Sequence, residues 1–157
     1  KKIQYTCVAH EQAAAMMADA YSRVGRGFAA TMVTSGPGAQ NLITGIACSW
    51  FDSVPVIHIS GQVNSFELSS ANKSTKKVRQ VGFQETDIVS IVKPITKFAY
   101  QLRSPNEIQH TLEKAFYLAN EGRQGPVLID IPMDFQRAKI DPKKIKAKIN
   151  PKPYPFK

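Results

Sequence analysis

Short apolar segments alternate with segments of helical composition along most of this chain, and this alternation restricts the fold more than any other feature. Continuous apolar runs are typical of parallel strands that are buried on both faces. Strands that alternate with helices therefore predict a parallel α/β sheet with helices on both faces. The predicted strands are residues 3–9, 28–34, 54–60, 97–102 and 126–131, and the predicted helices are residues 11–24, 39–51, 83–92 and 105–122.

Two local signals add detail to this assignment, one for a helix start and one for a loop. Ser104 and Glu107 form a capping-box pattern at the start of the last predicted helix, with Pro105 at its first position. Residues 64–79 instead hold five Ser or Thr and four basic residues. This stretch predicts a long loop, and such loops in compact domains are usually functional or mobile.

The charge of the chain is concentrated at one end. The chain has 157 residues and a formal net charge of +9, and residues 139–157 contribute seven Lys against Asp141 alone, or +6. We interpret residues 1–138 as one folded domain and residues 139–157 as a basic, Pro-rich linker or tail. No stacking motif accompanies the charge, so we expect no nucleic-acid partner. The alternative, nucleic-acid binding through the tail, predicts an affinity that falls steeply with salt.

Apolar segments and cysteines restrict the compartment. No apolar run reaches the ~18 to 20 residues that a membrane span requires, so we expect no membrane partner. Cys7 and Cys48 lie in apolar segments without a partner motif. Two buried free thiols indicate a reducing compartment, and we expect the protein in the cytoplasm.

Two strand-to-helix junctions indicate one binding crevice. His10-Glu11 joins the first apolar run to an Ala-rich helix, and residues 35–39 (SGPGA) join the second run to its helix. Ligands of parallel α/β sheets bind beyond the carboxyl ends of the strands. The junctions predict one buried carboxylate beside a glycine-lined loop, which suits a heterocyclic cofactor. Taken alone, Glu11 is as well explained as an acidic residue that stabilises the positive end of the helix dipole. Residues 35–39, taken alone, are as well explained as a tight turn without a binding role.

Other function classes have weaker support. No Gly-x-Gly-x-x-Gly follows a predicted strand, which disfavours a dinucleotide-binding dehydrogenase. No cluster of His, Cys, Asp and Glu has the spacing of a metal site. His58 lies inside a predicted strand, and we interpret it as a core residue; Asp130 is interpreted as a structural residue at a strand end.

Seven segments, in order between residues 7 and 134, resemble the N-terminal pyrimidine-binding domain of thiamine-diphosphate enzymes of the acetolactate synthase group. No single segment is decisive, but seven in register are specific. The resemblance implies the thiamine-diphosphate-binding fold without its first strand and helix. The segments are residues 10–15 (HEQAAA), 33–42 (VTSGPGAQNL), 52–56 (DSVPV), 61–63 (GQV), 83–85 (FQE), 93–97 (KPITK) and 125–132 (GPVLIDIP).

The resemblance also implies roles for individual residues. Glu11 matches the family's catalytic glutamate, which hydrogen-bonds the aminopyrimidine ring of thiamine diphosphate. A carboxyl in a mostly apolar crevice is expected to have a raised pKa. The remaining matches are Pro37, Gly38 and Asn41 in the loop beneath the pyrimidine, Gln84 near the cofactor and substrate channel, Ser53 near a flavin, and Lys97 at the channel mouth.

The implied activity is decarboxylation of a 2-keto acid such as pyruvate and transfer of the two-carbon unit to a second carbonyl, as in branched-chain amino acid biosynthesis. Thiamine diphosphate is the implied cofactor, Mg²⁺ is implied on another domain, and FAD is possible. A second subunit would supply the diphosphate-binding domain in a homodimer or homotetramer, with contacts around Ala13, Met17 and Trp50. The alternatives are a non-catalytic interaction module of this fold, or another member such as an oxidase or a polysaccharide-cluster carboligase.

The chain also departs from the family pattern. The family's first strand and helix have no counterpart here, and neither does its diphosphate- and Mg²⁺-binding domain with the Gly-Asp-Gly…Asn motif. We therefore expect a fragment that is inactive alone. The loop between Gln62 and Gln84 is about ten residues longer than expected and lacks a Pro-Arg-Arg-type sequence. Substrate choice and flavin binding are thus open at this point.

Overall fold

The fold is described from a computed structural model, which describes residues 3–25, 27–71 and 78–141. The predicted basic tail lies outside the described residues from position 142 onward, so its assignment stays a prediction. Within the described ranges, no helix is long and apolar enough to cross a membrane.

A four-stranded parallel sheet forms the centre of the domain. Its spatial order is β1-β2-β4-β3, and all three strand pairs are parallel. The two central strands are almost fully buried, which explains their continuous apolar sequences. The strands are β1 (Ala29–Val33), β2 (Val56–Gln62), β3 (Phe98–Gln101) and β4 (Val127–Pro132).

Helices cover both faces of this sheet. The predicted parallel α/β sheet with helices on both faces is therefore confirmed. The helices are α1 (Glu11–Arg23), α2 (Pro37–Asn41), α3 (Ile43–Phe51), α4 (Ile88–Val92), α5 (Ile108–Asn120) and α6 (Met133–Arg137), with 3-10 turns at Ser65–Glu67, Lys93–Ile95 and Pro105–Glu107.

Two hydrophobic clusters lie on opposite faces of β4, because successive side chains of a strand point to opposite faces of the sheet. Leu128 packs with the core of α1 to α4, whereas Val127 and Ile129 pack against α5. On α5, the buried residues Thr111, Ala115 and Ala119 are spaced by four and lie on one side of the helix.

Residues 3–9 do not form the strand that we predicted. Ile3 and Tyr5 are 89% and 85% exposed. An apolar run becomes a strand only when a neighbouring strand pairs with its backbone groups, and in the described part of the chain this segment has no such neighbour.

Several helix boundaries also differ from the prediction. The helix predicted at 39–51 starts earlier, at Pro37, and is divided at Leu42. The helix predicted at 83–92 contracts to α4, because the Asp87 carboxylate accepts from Ser90 N at 3.1 Å and caps the helix there. The short helix α6 was not predicted.

The predicted capping box before α5 forms differently. Ser104 Oγ accepts from Asn106 N at 3.4 Å rather than from Glu107 N. The Glu107 carboxylate accepts from Arg103 N at 3.3 Å and from the Tyr100 hydroxyl at 3.1 Å. A 3-10 turn at Pro105–Glu107 therefore precedes the α-helix.

Both cysteines are free and exposed, so the prediction that they are buried was wrong. Cys48 lies on the outer side of α3, between buried residues that face the core, and Cys7 precedes α1. An apolar neighbourhood in sequence does not fix which side of a helix a residue occupies. The expected cytoplasmic location therefore loses the support of buried thiols and stays a prediction.

Candidate functional site

The carboxylate of Glu11 lies against the amide of Asn41. Glu11 is the first residue of α1, Asn41 is the last residue of α2, and Asn41 Nδ2 donates to Glu11 Oε2 at 3.0 Å. The preceding His10 accepts from Gln12 N through its ring, which fixes the start of α1. The two predicted junctions therefore meet in space, although only the second follows a strand of the sheet.

Gly38 allows the turn after β1 to approach this carboxylate. A Cβ at Gly38 would lie 2.7 Å from Thr34 Cγ2 and 3.4 Å from Glu11 Oε1. A side chain at this position would therefore fill the space beside Oε1. Pro37 opens α2, where its missing N–H leaves no unsatisfied group.

Gln84 packs against the same turn, at Gly36. Gly36 has φ 59°, and a Cβ there would come 2.6 Å from Gln84 O and 2.8 Å from Gln84 Cβ. Gln84 itself has φ 62°, a left-handed conformation that is uncommon for residues other than glycine and that clusters at functional sites. The structure thus brings together Glu11, Pro37, Gly38, Asn41 and Gln84. Their individual roles stay predictions.

The Glu11 pKa differs from what we expected. The hydrogen bond from Asn41 and that from the backbone N–H of Glu11 hold the pKa of this carboxyl below its usual range, and nearby His10 acts in the same direction. Burial raises the pKa too little to reverse the direction. The predicted raised pKa was wrong, because Glu11 is only half-buried and has hydrogen-bond donors for its charged form.

A buried polar network adjoins this group of residues. Asp130, in the middle of β4, is fully buried and accepts from Ser60 Oγ at 2.6 Å, Gln62 Nε2 at 3.0 Å and Gln101 Nε2 at 2.8 Å. Burial raises its pKa, while the three donors oppose that rise. Sequence reasoning gave Asp130 only a structural role and did not identify Gln62. The available signal was polar residues inside otherwise apolar strands.

The network reaches the Gln84 segment through Thr86. Gln62 Nε2 donates to Thr86 O at 2.8 Å, and Gln40 Nε2 donates to Thr86 Oγ1 at 3.1 Å. Gln40 directly precedes Asn41, the partner of Glu11. Neither Gln40 nor Thr86 was identified from the sequence, because their contact joins residues far apart in the chain.

His58 is a core residue, as predicted. It is fully buried in β2, and its Nδ1 lies 2.8 Å from Thr31 Oγ1 on the neighbouring strand. Burial lowers the His58 pKa to about 3, so the ring is neutral at neutral pH. In the described ranges, no group of three or more His, Cys, Asp or Glu side chains is arranged to hold a metal ion.

Ser53 and Lys97 lie at the opposite edge of the sheet from Glu11. Both precede a strand, Ser53 before β2 and Lys97 before β3, whereas the Glu11 group lies beyond the carboxyl end of β1. Ser53 Oγ accepts from Arg123 Nε at 2.7 Å, and Lys97 Nζ donates to Glu121 O. Burial lowers the Lys97 pKa. The structure does not bring these two residues into the Glu11 site.

Comparisons with known proteins agree with this geometry. The sequence model of the family described as "Thiamine pyrophosphate enzyme, N-terminal TPP binding domain" matches residues 1–91. The chain is 45% identical over 140 residues to an acetolactate synthase of Arthrospira platensis, a match that covers 89% of this chain and 22% of that protein.

Two further relatives are similar. The acetolactate synthase large subunit of Haemophilus influenzae is 45% identical over 132 residues, and the acetolactate synthase isozyme 3 large subunit of Escherichia coli is 42% identical over 132 residues. Each match covers 84% of this chain and 21% of the relative. The chain thus spans about a fifth of the length of the curated relatives that it matches.

Proposed function

The chain belongs to the thiamine pyrophosphate enzymes, whose N-terminal TPP binding domain it matches. We propose that it supplies the pyrimidine-binding half of a site for this cofactor, which is also called thiamine diphosphate. The whole protein would be an acetolactate synthase-like enzyme that decarboxylates a 2-keto acid and transfers the two-carbon unit to a second carbonyl. The observation that carries the proposal is the Glu11 carboxylate, bonded to Asn41 and beside the side-chain-free Gly38.

The residues present fit such a cofactor. Glu11 Oε2 is bonded to Asn41, and Oε1 lies 3.4 Å from the position that a Cβ at Gly38 would take. Glycine at this position therefore adds no side chain beside that oxygen. An accessible, half-buried carboxylate next to a side-chain-free backbone segment suits a flat heterocycle with a ring nitrogen to be hydrogen-bonded.

The lowered Glu11 pKa defines what this residue does to a proton. Thiamine diphosphate, when bound, supplies the nucleophilic carbon and the electron sink for decarboxylation. Glu11 is a carboxylate at neutral pH, so it would accept a hydrogen bond from a protonated ring nitrogen and stabilise the positive charge there. Asn41 holds the carboxylate in place, and a lowered pKa keeps the shared proton on the ring side.

A second subunit is part of the proposal. The matched relatives are much longer than this chain, and we propose that a domain on a partner subunit binds the diphosphate and Mg²⁺, in a homodimer or homotetramer. Exposed apolar side chains on α1 support a contact surface here, since Met16, Met17 and Tyr21 are 43%, 50% and 51% exposed. Of the other two residues expected at the contact, Ala13 on α1 is exposed and Trp50 on α3 is half-buried.

For Ser53 and Lys97 we propose a role at the far edge of the sheet, at a flavin or at the channel mouth. The guanidinium of Arg123 beside Ser53 supports this, because planar cationic groups bind phosphate well. A flavin absorbance spectrum of the purified complete gene product tests it. A spectrum without bound flavin in an active enzyme would contradict the flavin role.

The main test is turnover of pyruvate by the complete gene product, measured against thiamine diphosphate concentration. Glu11→Gln keeps the size of the side chain but removes its charge, and we expect activity to fall by about 10²- to 10⁴-fold, the usual worth of a proton-controlling group. Glu113→Gln, which alters a carboxylate on α5 across the sheet, is the control and should retain activity. Wild-type activity in Glu11→Gln would overturn the proposal.

A further inference from the structure

Two glutamine side chains bond the segment that follows Gln84, one from strand β2 (Gln62) and one from helix α2 (Gln40). Gln62 Nε2 donates to Thr86 O, and Gln40 Nε2 donates to Thr86 Oγ1. Thr86 lies only two residues after Gln84, whose left-handed backbone packs on Gly36. Such a conformation is disfavoured for a residue with a side chain and persists when its surroundings hold it.

The orientation of Gln62 depends on Asp130. Gln62 is 4% exposed, and every polar group of its side chain has a partner. Its Nε2 donates to both Thr86 O and Asp130 Oδ2, and its Oε1 accepts from Val63 N at 3.0 Å. A carboxylate only accepts hydrogen bonds, so Asp130 requires the NH₂ group of Gln62 on its side and thereby directs the second N–H toward Thr86.

We infer that Asp130 is a positioning residue: acting through Gln62 and Thr86, it holds Gln84 against Gly36 at the edge of the Glu11 site. The inference rests on the proposed function only in its claim that the positioned segment aids thiamine diphosphate binding. The claim that Asp130 positions Gln84 rests on the described contacts alone.

Two other donors to Asp130 provide matched controls. Ser60 Oγ bonds Oδ1, and Gln101 Nε2 bonds the same oxygen as Gln62, yet neither side chain has a hydrogen bond to Thr86 among the described contacts. If Asp130 merely satisfies buried polar groups, loss of any of the three donors should have the same kind of effect. If it positions the segment, only the Gln62 branch should affect Gln84.

The test uses the complete gene product with Asp130→Leu, Gln62→Met, the double variant, and the controls Ser60→Ala and Gln101→Met. Asp130→Leu keeps the approximate size of the side chain but removes both acceptor oxygens, so it breaks the Gln62 branch. Gln62→Met keeps the question testable if Asp130→Leu does not fold. One readout is hydrogen exchange of residues 82–87 without cofactor. The second is the thiamine diphosphate concentration for half-maximal activity.

We expect Asp130→Leu and Gln62→Met each to raise both quantities by about tenfold, the factor for loss of one buried hydrogen bond. The double variant should be no worse than the poorer single variant, and the controls should lower only the melting temperature. Unchanged exchange in Gln62→Met, or equal changes in the controls, would overturn the positioning role. A wild-type protein that thiamine diphosphate does not activate would refute the proposed function, while the exchange data still decide the positioning.

Discussion

Gly36 and Gln84 pack so closely that no side chain fits between them, since a Cβ on Gly36 would lie 2.6 Å from the carbonyl oxygen of Gln84. Both residues have a positive φ, 59° for Gly36 and 62° for Gln84. The contact joins the turn after β1 to the segment before α4, so two strand-following loops form one surface beside Glu11.

Substitution of Gly36 by Ala should therefore destabilise the protein by about 2 to 4 kcal/mol, because the cost of a left-handed alanine adds to a steric clash. Urea denaturation measures this difference. Gly122→Ala is the matched control, since Gly122 has φ 58° but nothing within 4 Å of its Cβ position. It should lose only the conformational part, about 1 kcal/mol. Equal losses in the two variants would show that the Gly36–Gln84 contact is not tight.

Removal of the Asn41 amide should raise the pKa of Glu11. The hydrogen bond from Asn41 is the largest cause of the lowered pKa, so Asn41→Leu should move the carboxyl back toward its ordinary range near 4.5. NMR titration of the Glu11 side-chain carboxyl carbon measures this. Asn120→Ala removes an amide on α5 that donates to Phe116 O and should leave the titration unchanged. An unshifted midpoint in Asn41→Leu would contradict the assigned cause.

The fold could be predicted well where burial controls the sequence. Val127 to Ile131 form a continuous apolar run broken only by Asp130, and the predicted strand agrees with β4 to within one residue at each end. Residues 3–9 have a similar run but no strand. Apolar composition reports that a segment avoids water, whereas a strand also needs a neighbour, and a local pattern carries no information about that neighbour.

The candidate site could be predicted only in part, for a related reason. The position of Gly38 follows from the rule that ligands bind beyond the carboxyl ends of parallel strands, whereas Glu11 was identified from a junction whose predicted strand does not form. The contacts of Thr86 with Gln40 and Gln62 join residues 46 and 24 positions apart, and no spacing rule encodes them. The Glu11 pKa was mispredicted because its direction depends on the Asn41 donor, which only the folded geometry reveals.

Arg23 joins α1 to the end of α3 through ion pairs with Asp19 and Asp52. Its loss should lower the free energy of unfolding mainly because the buried Asp19 loses its cationic partner. Its Nε lies 2.5 Å from Asp19, which is 7% exposed, and its second nitrogen lies 2.6 Å from the exposed Asp52. Arg23→Met leaves Asp19 with Ser49 Oγ at 2.7 Å as its remaining side-chain donor among the residues that the structure describes. We expect a loss of about 1 to 3 kcal/mol in urea denaturation.

The control for that prediction is Asp52→Asn, which removes only the exposed ion pair. Surface ion pairs contribute about 0 to 1 kcal/mol, so this variant should unfold almost like the wild type. If Asp52→Asn proved as harmful as Arg23→Met, the stabilising contact would be the exposed pair and not the buried Asp19.

His58 should make the stability of the domain fall as the pH is lowered below about 6.5. Its pKa in the folded state is lowered by burial from 6.5 to about 3. Below pH 6.5 the unfolded chain therefore binds a proton at His58 that the folded chain does not bind. The free energy of unfolding falls by about 1.4 kcal/mol per pH unit until the pH approaches the folded-state pKa. Between pH 7 and pH 5 the loss from this residue is about 2 kcal/mol.

Urea denaturation at pH 7 and pH 5 measures this effect by comparing the wild type with His58→Leu. The titrations of all other groups are shared by the two proteins, so the difference between their pH dependences isolates the imidazole. Thr31→Val is a second comparison, because it removes the hydroxyl beside Nδ1 but leaves the ring buried. That variant should be less stable at both pH values and keep the wild-type pH dependence. A His58→Leu protein whose stability changes with pH as much as the wild type would mean that His58 takes up its proton in the folded state.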